Sequence, residues 1–406
     1  MYRLLRNALS QAGEISIGEY RLKSLKRSVY LDNAATTFPK PDDVYMKVEL
    51  MMREVGGSAG RSGHRRALEA GREVYAARES LANLFGARDP LRVIFTKNAT
   101  EAINTAIWGL LKPGDHVVTT SVEHNSVMRP LTAATKLGIE HTVVPCETDG
   151  SLEASRVAGA IRSETALIII NHASNVAGTI LPVADVATIA HERKIPVLVD
   201  AAQSAGRVKI DVEADGIDIL AFTGHKELFG PQGTGGIYVS EGIELTPMCF
   251  GGTGSKSSSL EQPRDLPDRL ESGTLNAPGF AGLGAGVEFI LRTGVDSIRA
   301  HEHELIGRLV QGLEMVEGVT WYGTPVLEQR VGIVSMTFDS MTPADVAELL
   351  DLRYDIATRS GLHCSPMAHK TIGTIDTGAL RVSTSFMNTT DEIDYFLDSL
   401  TEILRP

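Results

Sequence analysis

The feature that most constrains the fold of this chain is a rhythm that begins near residue 90. Short apolar runs, mostly five or six residues long, alternate with stretches of helical periodicity. The runs predict strands at Arg92–Thr96, His116–Thr120, His141–Pro145, Ala166–Ile170, Val197–Asp200, Asp218–Phe222 and Gly236–Val239. Amphipathic segments such as Thr100–Leu111 and Ala184–Arg193 lie between several of them. Strands apolar on both faces must be covered on both, and strands joined through helices run parallel. The expectation is an α/β fold whose mainly parallel seven-stranded sheet is clad in helices. Residues 251–279 break the rhythm with Gly251-Gly-Thr-Gly254, Ser257-Ser-Ser259 and three prolines. They predict a long irregular segment, and loops of that length are usually functional or disordered. Beyond it, helices at Ala285–Arg292, Ser297–Glu317 and Ala344–Asp351 and strands at Gly332–Phe338 and Ala379–Ser385 suggest a smaller α+β domain.

A formal net charge of -12 argues against nucleic acid as a partner, because phosphate backbones are met by clustered Lys and Arg. The three cysteines, Cys146, Cys249 and Cys364, form neither a CxxC pair nor a cluster at metal-ligand spacing. Free thiols in a reducing compartment are the simpler reading. No apolar run approaches the ~18 residues of a spanning helix. Met1 to Arg27 lacks the apolar stretch of a secretory signal, so no membrane association and a cytoplasmic location are expected. The sequence leaves the structure of the mildly basic extension 1–28 open, with Arg3 to Ala12 a candidate amphipathic helix.

Polar groups gather where an open α/β sheet binds ligands, just past the carboxyl ends of its strands. Val199-Asp-Ala-Ala-Gln203 ends one strand and Phe222-Thr-Gly-His-Lys226 the next. A partly desolvated lysine has a lowered pKa and attacks carbonyls. An acid one strand away can hold a protonated pyridine nitrogen. Alone, Asp200 and Lys226 would more often be a surface ion pair. Thr96-Lys-Asn-Ala-Thr-Glu101 adds a helix N-terminus suited to a phosphate, though Asn98 or Thr100 could equally be a plain cap. Glu123-His-Asn125 and Asn171-His-Ala-Ser-Asn-Val-Ala-Gly178 end two further strands. No strand is followed by G-x-G-x-x-G or by a P-loop, which disfavours a nucleotide-binding scaffold.

Leu31-Asp-Asn-Ala-Ala-Thr36, Ala99-Thr-Glu101, Glu123-His-Asn125, Ser174-Asn175, Val199-Asp-Ala-Ala-Gln203 and Thr223-Gly-His-Lys226 occur in that order. As an ordered set they resemble the class V aminotransferase superfamily of fold type I pyridoxal-phosphate enzymes, and within it the cysteine desulfurase and selenocysteine lyase family. The resemblance runs from about residue 29 to the end. It implies a large cofactor-binding domain over 40–285 and a small domain built from 29–39 and 286–406. By the same resemblance Lys226 carries pyridoxal 5'-phosphate as a Schiff base, Asp200 meets its ring nitrogen and His124 stacks on the ring. Thr100, Thr223 and His225 bind the phosphate, and Gln203 and Asn175 contact the ring oxygen or the substrate. Thr274 is the candidate for a threonine supplied to the neighbouring subunit's phosphate, which implies a homodimer.

Arg359-Ser-Gly-Leu-His-Cys-Ser-Pro366 sets the reaction class. A lone cysteine is usually buried and inert. Here the Arg-x-Gly-x-His-Cys pattern resembles group II desulfurases, a SUF-like branch. It departs from the commonest form at Leu362, where His is frequent, and at Ser365, where Ala is frequent. The resemblance implies that Cys364 takes sulfur from L-cysteine, or selenium from selenocysteine, and passes it to an acceptor protein or small thiol. His363 and Arg359 are expected to lower the thiol pKa. Arg381, in Ala379-Leu-Arg-Val-Ser-Thr384, fits a substrate-carboxylate fork, and His64 is expected at the substrate mouth. A selenocysteine lyase, or a lyase or transaminase acting on another amino acid, is the nearest alternative on the same cofactor.

Overall fold

The computed structural model describes residues 15–17, 20–22, 28–60 and 62–405. Strands β1 (Ile15–Ile17) and β2 (Tyr20–Leu22) pair with each other, and β3 (Val29–Tyr30) joins the C-terminal part of the chain. The helix expected at Arg3 to Ala12 lies outside the described residues.

The central sheet contains β4 (Val93–Thr96), β5 (His116–Thr120), β6 (Glu140–Val144), β7 (Thr165–Asn171), β8 (Val197–Asp200), β9 (Ile219–Thr223) and β10 (Gly235–Val239), in the order β4-β10-β9-β8-β7-β5-β6. Every end falls within one residue of its expected place. All neighbouring pairs from β6 to β9 are parallel, and β10 runs antiparallel to both β9 and β4. The mainly parallel sheet read from the sequence is therefore present.

Strand β7 shows why the runs are apolar throughout. Leu167 and Ile169 enter the core on one face of the sheet, and Ile168 and Ile170 the core on the other. Helices α1 (Asp42–Leu50) and α2 (Arg65–Leu84) precede the sheet. Helices α3 (Ala99–Leu110) and α4 (Asn125–Ala134) cover one face, and α5 (Ala154–Ala160) and α6 (Val183–His191) follow in sequence. The expected irregular segment ends earlier than its composition implied, because α7 starts at Ala277 and runs to Thr293. The helix expected at Ala285–Arg292 is the second half of α7, and the glycines of α7 are packing contacts. A Cβ on Gly286 would lie 2.3 Å from the Leu228 carbonyl oxygen, so glycine lets α7 press against the loop that follows Lys226.

After α7 and α8 (Val295–Leu313), strands β11 (Val319–Tyr322) and β12 (Ile333–Phe338) begin a second sheet. Helix α9 (Pro343–Tyr354), β13 (Ile356–Ala357), β14 (Arg359–Gly361), helix α10 (Pro366–Thr371), β15 (Ala379–Ser383) and α11 (Thr390–Leu404) complete the chain. This antiparallel sheet has the order β11-β12-β15-β14. Its core contains Leu305, Val334, Leu350, Val382 and Phe396, all fully buried, together with Val29 and Leu31. β3 pairs in parallel with β13, so the segment that carries Asp32 is fastened beside β15.

Candidate active site

Five strands, β4, β5, β7, β8 and β9, end at one edge of the central sheet. Past that edge lies a cavity of about 220 Å³, walled by residues that immediately follow these strands. Lys226, Asp200, Gln203, Thr223, His225, His124, Thr100 and Asn175 all line it. Burial pushes the Lys226 amine down to about 8, against the opposing attraction of Asp200. Burial also raises the Asp200 carboxyl, while the Ala202 N–H, 2.9 Å from Oδ1, and Lys226 pull it back. Asp200 is 3% exposed, so this is a desolvated pair rather than a surface one.

Three polar atoms in this wall are buried without a partner: Thr223 Oγ1, His225 Nδ1 and Gln203 Oε1. Buried polar groups are nearly always hydrogen-bonded, so their convergence on one cavity marks a place for a polar ligand. Gln203 is oriented by Nε2 donating to the Ala34 carbonyl at 3.1 Å. Thr100 lies in the first turn of α3, where backbone N–H groups have no helical partner. Asn98 caps that helix by accepting from the Glu101 N–H at 2.9 Å. A Cβ on Gly235 would come within 2.7 Å of Asn98 Cα, so glycine there lets the capped turn sit against the sheet. Free N–H groups, a threonine hydroxyl and a ring nitrogen form a donor set that fits a phosphate, and a buried acid beside the amine fits a pyridine nitrogen.

His124 caps α4. Its Nδ1 accepts from the Ser126 N–H at 3.0 Å and lies 2.7 Å from Ser126 Oγ. The proton therefore sits on Nε2. Burial, then Lys226 and three nearby arginines, lower its pKa to about 4. The ring is neutral at physiological pH and offers the cavity a flat face and one N–H donor.

Arg381 is 2% exposed on β15. Its Nη2 donates to Asp32 Oδ1 at 2.8 Å and its Nη1 to the Asn175 carbonyl at 3.1 Å, while Nε has no partner. Cys364 is exposed at the edge of a groove that shares Thr100, His124 and Ser126 with the cavity. Thiol and lysine thus belong to adjoining spaces.

Two expected residues are not brought to the cavity by their own chain. His64 is an exposed cap of α2, and Thr274 is exposed on the irregular segment. His363 is corrected in its role. It is 4% exposed, with Nδ1 3.1 Å from His369 Nε2 and Nε2 3.1 Å from the Arg359 carbonyl. Burial and Arg381 drive its pKa down to about 3, so it is a neutral structural ring and supplies no positive charge to Cys364.

Sequence reading missed a buried ion cluster behind Lys226. Arg207 pairs with Glu227, and its Nη1 lies 2.9 Å from Glu302 Oε1, whose other oxygen is 2.6 Å from Arg299. Two cations and two carboxylates thereby connect the residue after Lys226 to α8. A signal was available, since Glu227 directly follows a strand-end motif in which a buried charge needs a partner.

A doubly wound α/β sheet with a desolvated lysine and aspartate and a cluster of polar donors at its strand ends is the architecture of an enzyme site. The chain belongs to the aminotransferase class-V family, which it matches over residues 29–396. It is 36% identical over 386 residues to a probable cysteine desulfurase of Methanothermobacter thermautotrophicus, covering 93% of this chain and 95% of the relative. The apo structure of a cysteine desulfurase from Thermococcus onnurineus NA1 superposes with a TM-score of 0.88 at 34% identity, covering 93% of this chain and 94% of the other. The S-sulfonic acid form of the cysteine desulfurase CsdA from Escherichia coli gives 0.84 at 27% identity, with the same coverage.

Proposed function

We propose that this protein is a pyridoxal-phosphate-dependent cysteine desulfurase that converts L-cysteine to L-alanine and holds the released sulfur as a persulfide on Cys364. The observation that carries the reading is the adjacency of two chemistries: a cavity with Lys226, Asp200 and three orphaned polar atoms, and a groove edged by Cys364 that shares its wall. Family membership and the relatives' names support it.

When bound, pyridoxal phosphate supplies an electron sink for the pair released at the substrate Cα. Lys226 holds it covalently, Asp200 meets its ring nitrogen, and His124 presents a neutral face. Thr100, Thr223 and His225 take the phosphate, joined by Thr274 of the neighbouring subunit in a homodimer. Gln203 orients the ring oxygen. With its amine near 8, Lys226 exists partly as the free base at neutral pH, which suits both bonding to a carbonyl carbon and moving the Cα proton. Arg381 holds the substrate carboxylate. Cys364 thiolate then attacks the substrate sulfur. The S–S bond forms as the Cβ–S bond breaks, the bonding pair stays on the carbon skeleton, and proton uptake there yields alanine. A thiol on an acceptor protein or small molecule takes the sulfur in turn. Free cysteines suit a reducing compartment such as the cytoplasm. Among the described residues no helix is long and apolar enough to cross a membrane.

The test is spectroscopic and chemical. Purified protein reconstituted with pyridoxal phosphate should show Schiff-base absorbance that Lys226→Ala abolishes. Cys364→Ala should retain the absorbance and lose alanine formation from cysteine. A wild type that cannot be reconstituted, or a Cys364→Ala variant with full cysteine turnover, overturns the reading.

A further inference from the structure

Cys364 sits in an unusual turn. The Ser365 N–H donates to the Leu362 carbonyl at 2.8 Å, and the two central residues, His363 at φ 49° and Cys364 at φ 58°, are both left-handed. This is the type I′ pattern that favours glycine and asparagine, and neither residue is either. An L-residue leaves this conformation readily unless its surroundings hold it there.

The surroundings do so through one side chain of the cavity wall. Asn175 Nδ2 donates to the His363 carbonyl at 2.9 Å, and Ser365 Oγ donates to Asn175 Oδ1 at 2.7 Å. The Asn175 amide therefore clamps the turn from both sides of the cysteine. The His363 carbonyl can only accept, so it must face Nδ2, and Oδ1 is left to accept from the Ser365 hydroxyl. On the far side the Asn125 N–H donates to the Cys364 carbonyl at 2.9 Å.

Ser365 is diverted to this task. It occupies the cap position of α10, where serine ordinarily accepts from the helix's first N–H groups, yet its side chain makes no capping bond. It is fully buried and its hydroxyl points to Asn175 instead.

We infer that Ser365 is a positioning residue: through Asn175 it latches the left-handed turn and so aims the Cys364 thiol at the substrate sulfur. The inference rests on the desulfurase reading above. Ser365→Ala in the holoenzyme should leave the cofactor absorbance unchanged and the KM for cysteine close to wild type. Single-turnover formation of the Cys364 persulfide should slow about tenfold, the loss expected for one buried hydrogen bond. Alkylation of Cys364 by iodoacetamide should rise while that of exposed Cys249, the internal reference, does not. Persulfide formation at the wild-type rate in Ser365→Ala, with Cys364→Ala inactive, overturns the latch and leaves the desulfurase reading standing. Slower persulfide formation with unchanged Cys364 alkylation also overturns it, since the loss would then arise away from the turn. Full cysteine turnover in Cys364→Ala overturns the desulfurase reading and the latch together.

Discussion

Arg381 Nη2 donates to Asp32 Oδ1 at 2.8 Å, so the guanidinium expected to take a substrate carboxylate already holds one from its own chain. The fork's Nε has no partner, so a second carboxylate has a donor waiting. Asp32→Asn removes the resident anion and leaves a buried cation short of charge. That variant should be less stable by about 1–3 kcal/mol without substrate. Its KM for cysteine should fall, because the substrate then supplies the missing counter-charge. Thermal unfolding with and without cysteine checks both, and a raised KM in Asp32→Asn would sink the argument. Arg381→Lys, which keeps the charge and loses the fork, should raise KM about tenfold or more.

Lys226 sets the pH at which the cofactor can be captured. With the amine near 8, roughly a tenth is free base at pH 7 and nine-tenths at pH 9. Reconstitution of the apoprotein with pyridoxal phosphate should accelerate through that range by about tenfold. His124 and His225, both lowered to about 4 mainly by burial, do not titrate there. A flat reconstitution rate between pH 6.5 and 9 would exclude a lysine of this kind.

Glu123 is fully buried, and burial raises its carboxyl to about 8. Oε1 accepts from Thr120 Oγ1 at 2.6 Å and from the Asn171 N–H at 2.9 Å, while Oε2 is unpartnered. At neutral pH the folded protein holds a proton here that the unfolded chain has released. Stability from this group is therefore complete below about 4.5 and is lost as pH rises through about 8. Glu123→Gln imitates the protonated acid and should remove that dependence. It should exceed wild-type stability above pH 8, by on the order of a few kcal/mol at most. Urea midpoints measured across pH 5 to 9 test this, and parallel pH profiles for the two proteins would count against it.

The ion cluster behind Lys226 depends on all four members. Arg207 is fully buried, and both of its acidic partners are nearly so. Glu302→Ala should destabilise the fold by about 3–5 kcal/mol, because it leaves Arg299 without its buried carboxylate and Arg207 with Glu227 alone. Unchanged denaturation would mean that the cluster carries no net weight.

Sequence reading located the central strands within one residue because all but the edge strand β6 are buried on both faces, which writes a largely apolar run. It could not find α2, whose residues 65–84 mix arginine, glutamate and alanine and bury one narrow stripe. Nor could it find β14, whose three residues Arg359–Gly361 carry no apolar signal and take their place from pairing with β15. Strand-end motifs named the cavity's walls. They could not show that Asn175 also grips the Cys364 turn from about 190 positions away, nor that His363 is turned inward as a neutral ring. Those facts are tertiary: they arise from how the small sheet docks on the large one, and nothing local encodes them.

The three thiols should separate cleanly when cysteine is added. Cys146 is packed against the main core beside Glu123, and burial pushes its thiol up to about 11, so at neutral pH it stays protonated and unreactive. Cys249 is exposed, but it lies between β10 and the irregular segment and lines neither the cavity nor the adjoining groove. Only Cys364 edges a groove that shares Thr100, His124 and Ser126 with the Lys226 cavity. Mass spectrometry of peptides from protein treated with cysteine should therefore find one added sulfur on Cys364 and none on the other two. Lys226→Ala should abolish that addition while leaving iodoacetamide alkylation of Cys364 intact. Sulfur on Cys249 in wild type, or on Cys364 in Lys226→Ala, would show that the modification arises from sulfane sulfur in solution rather than from a reaction that begins at the lysine.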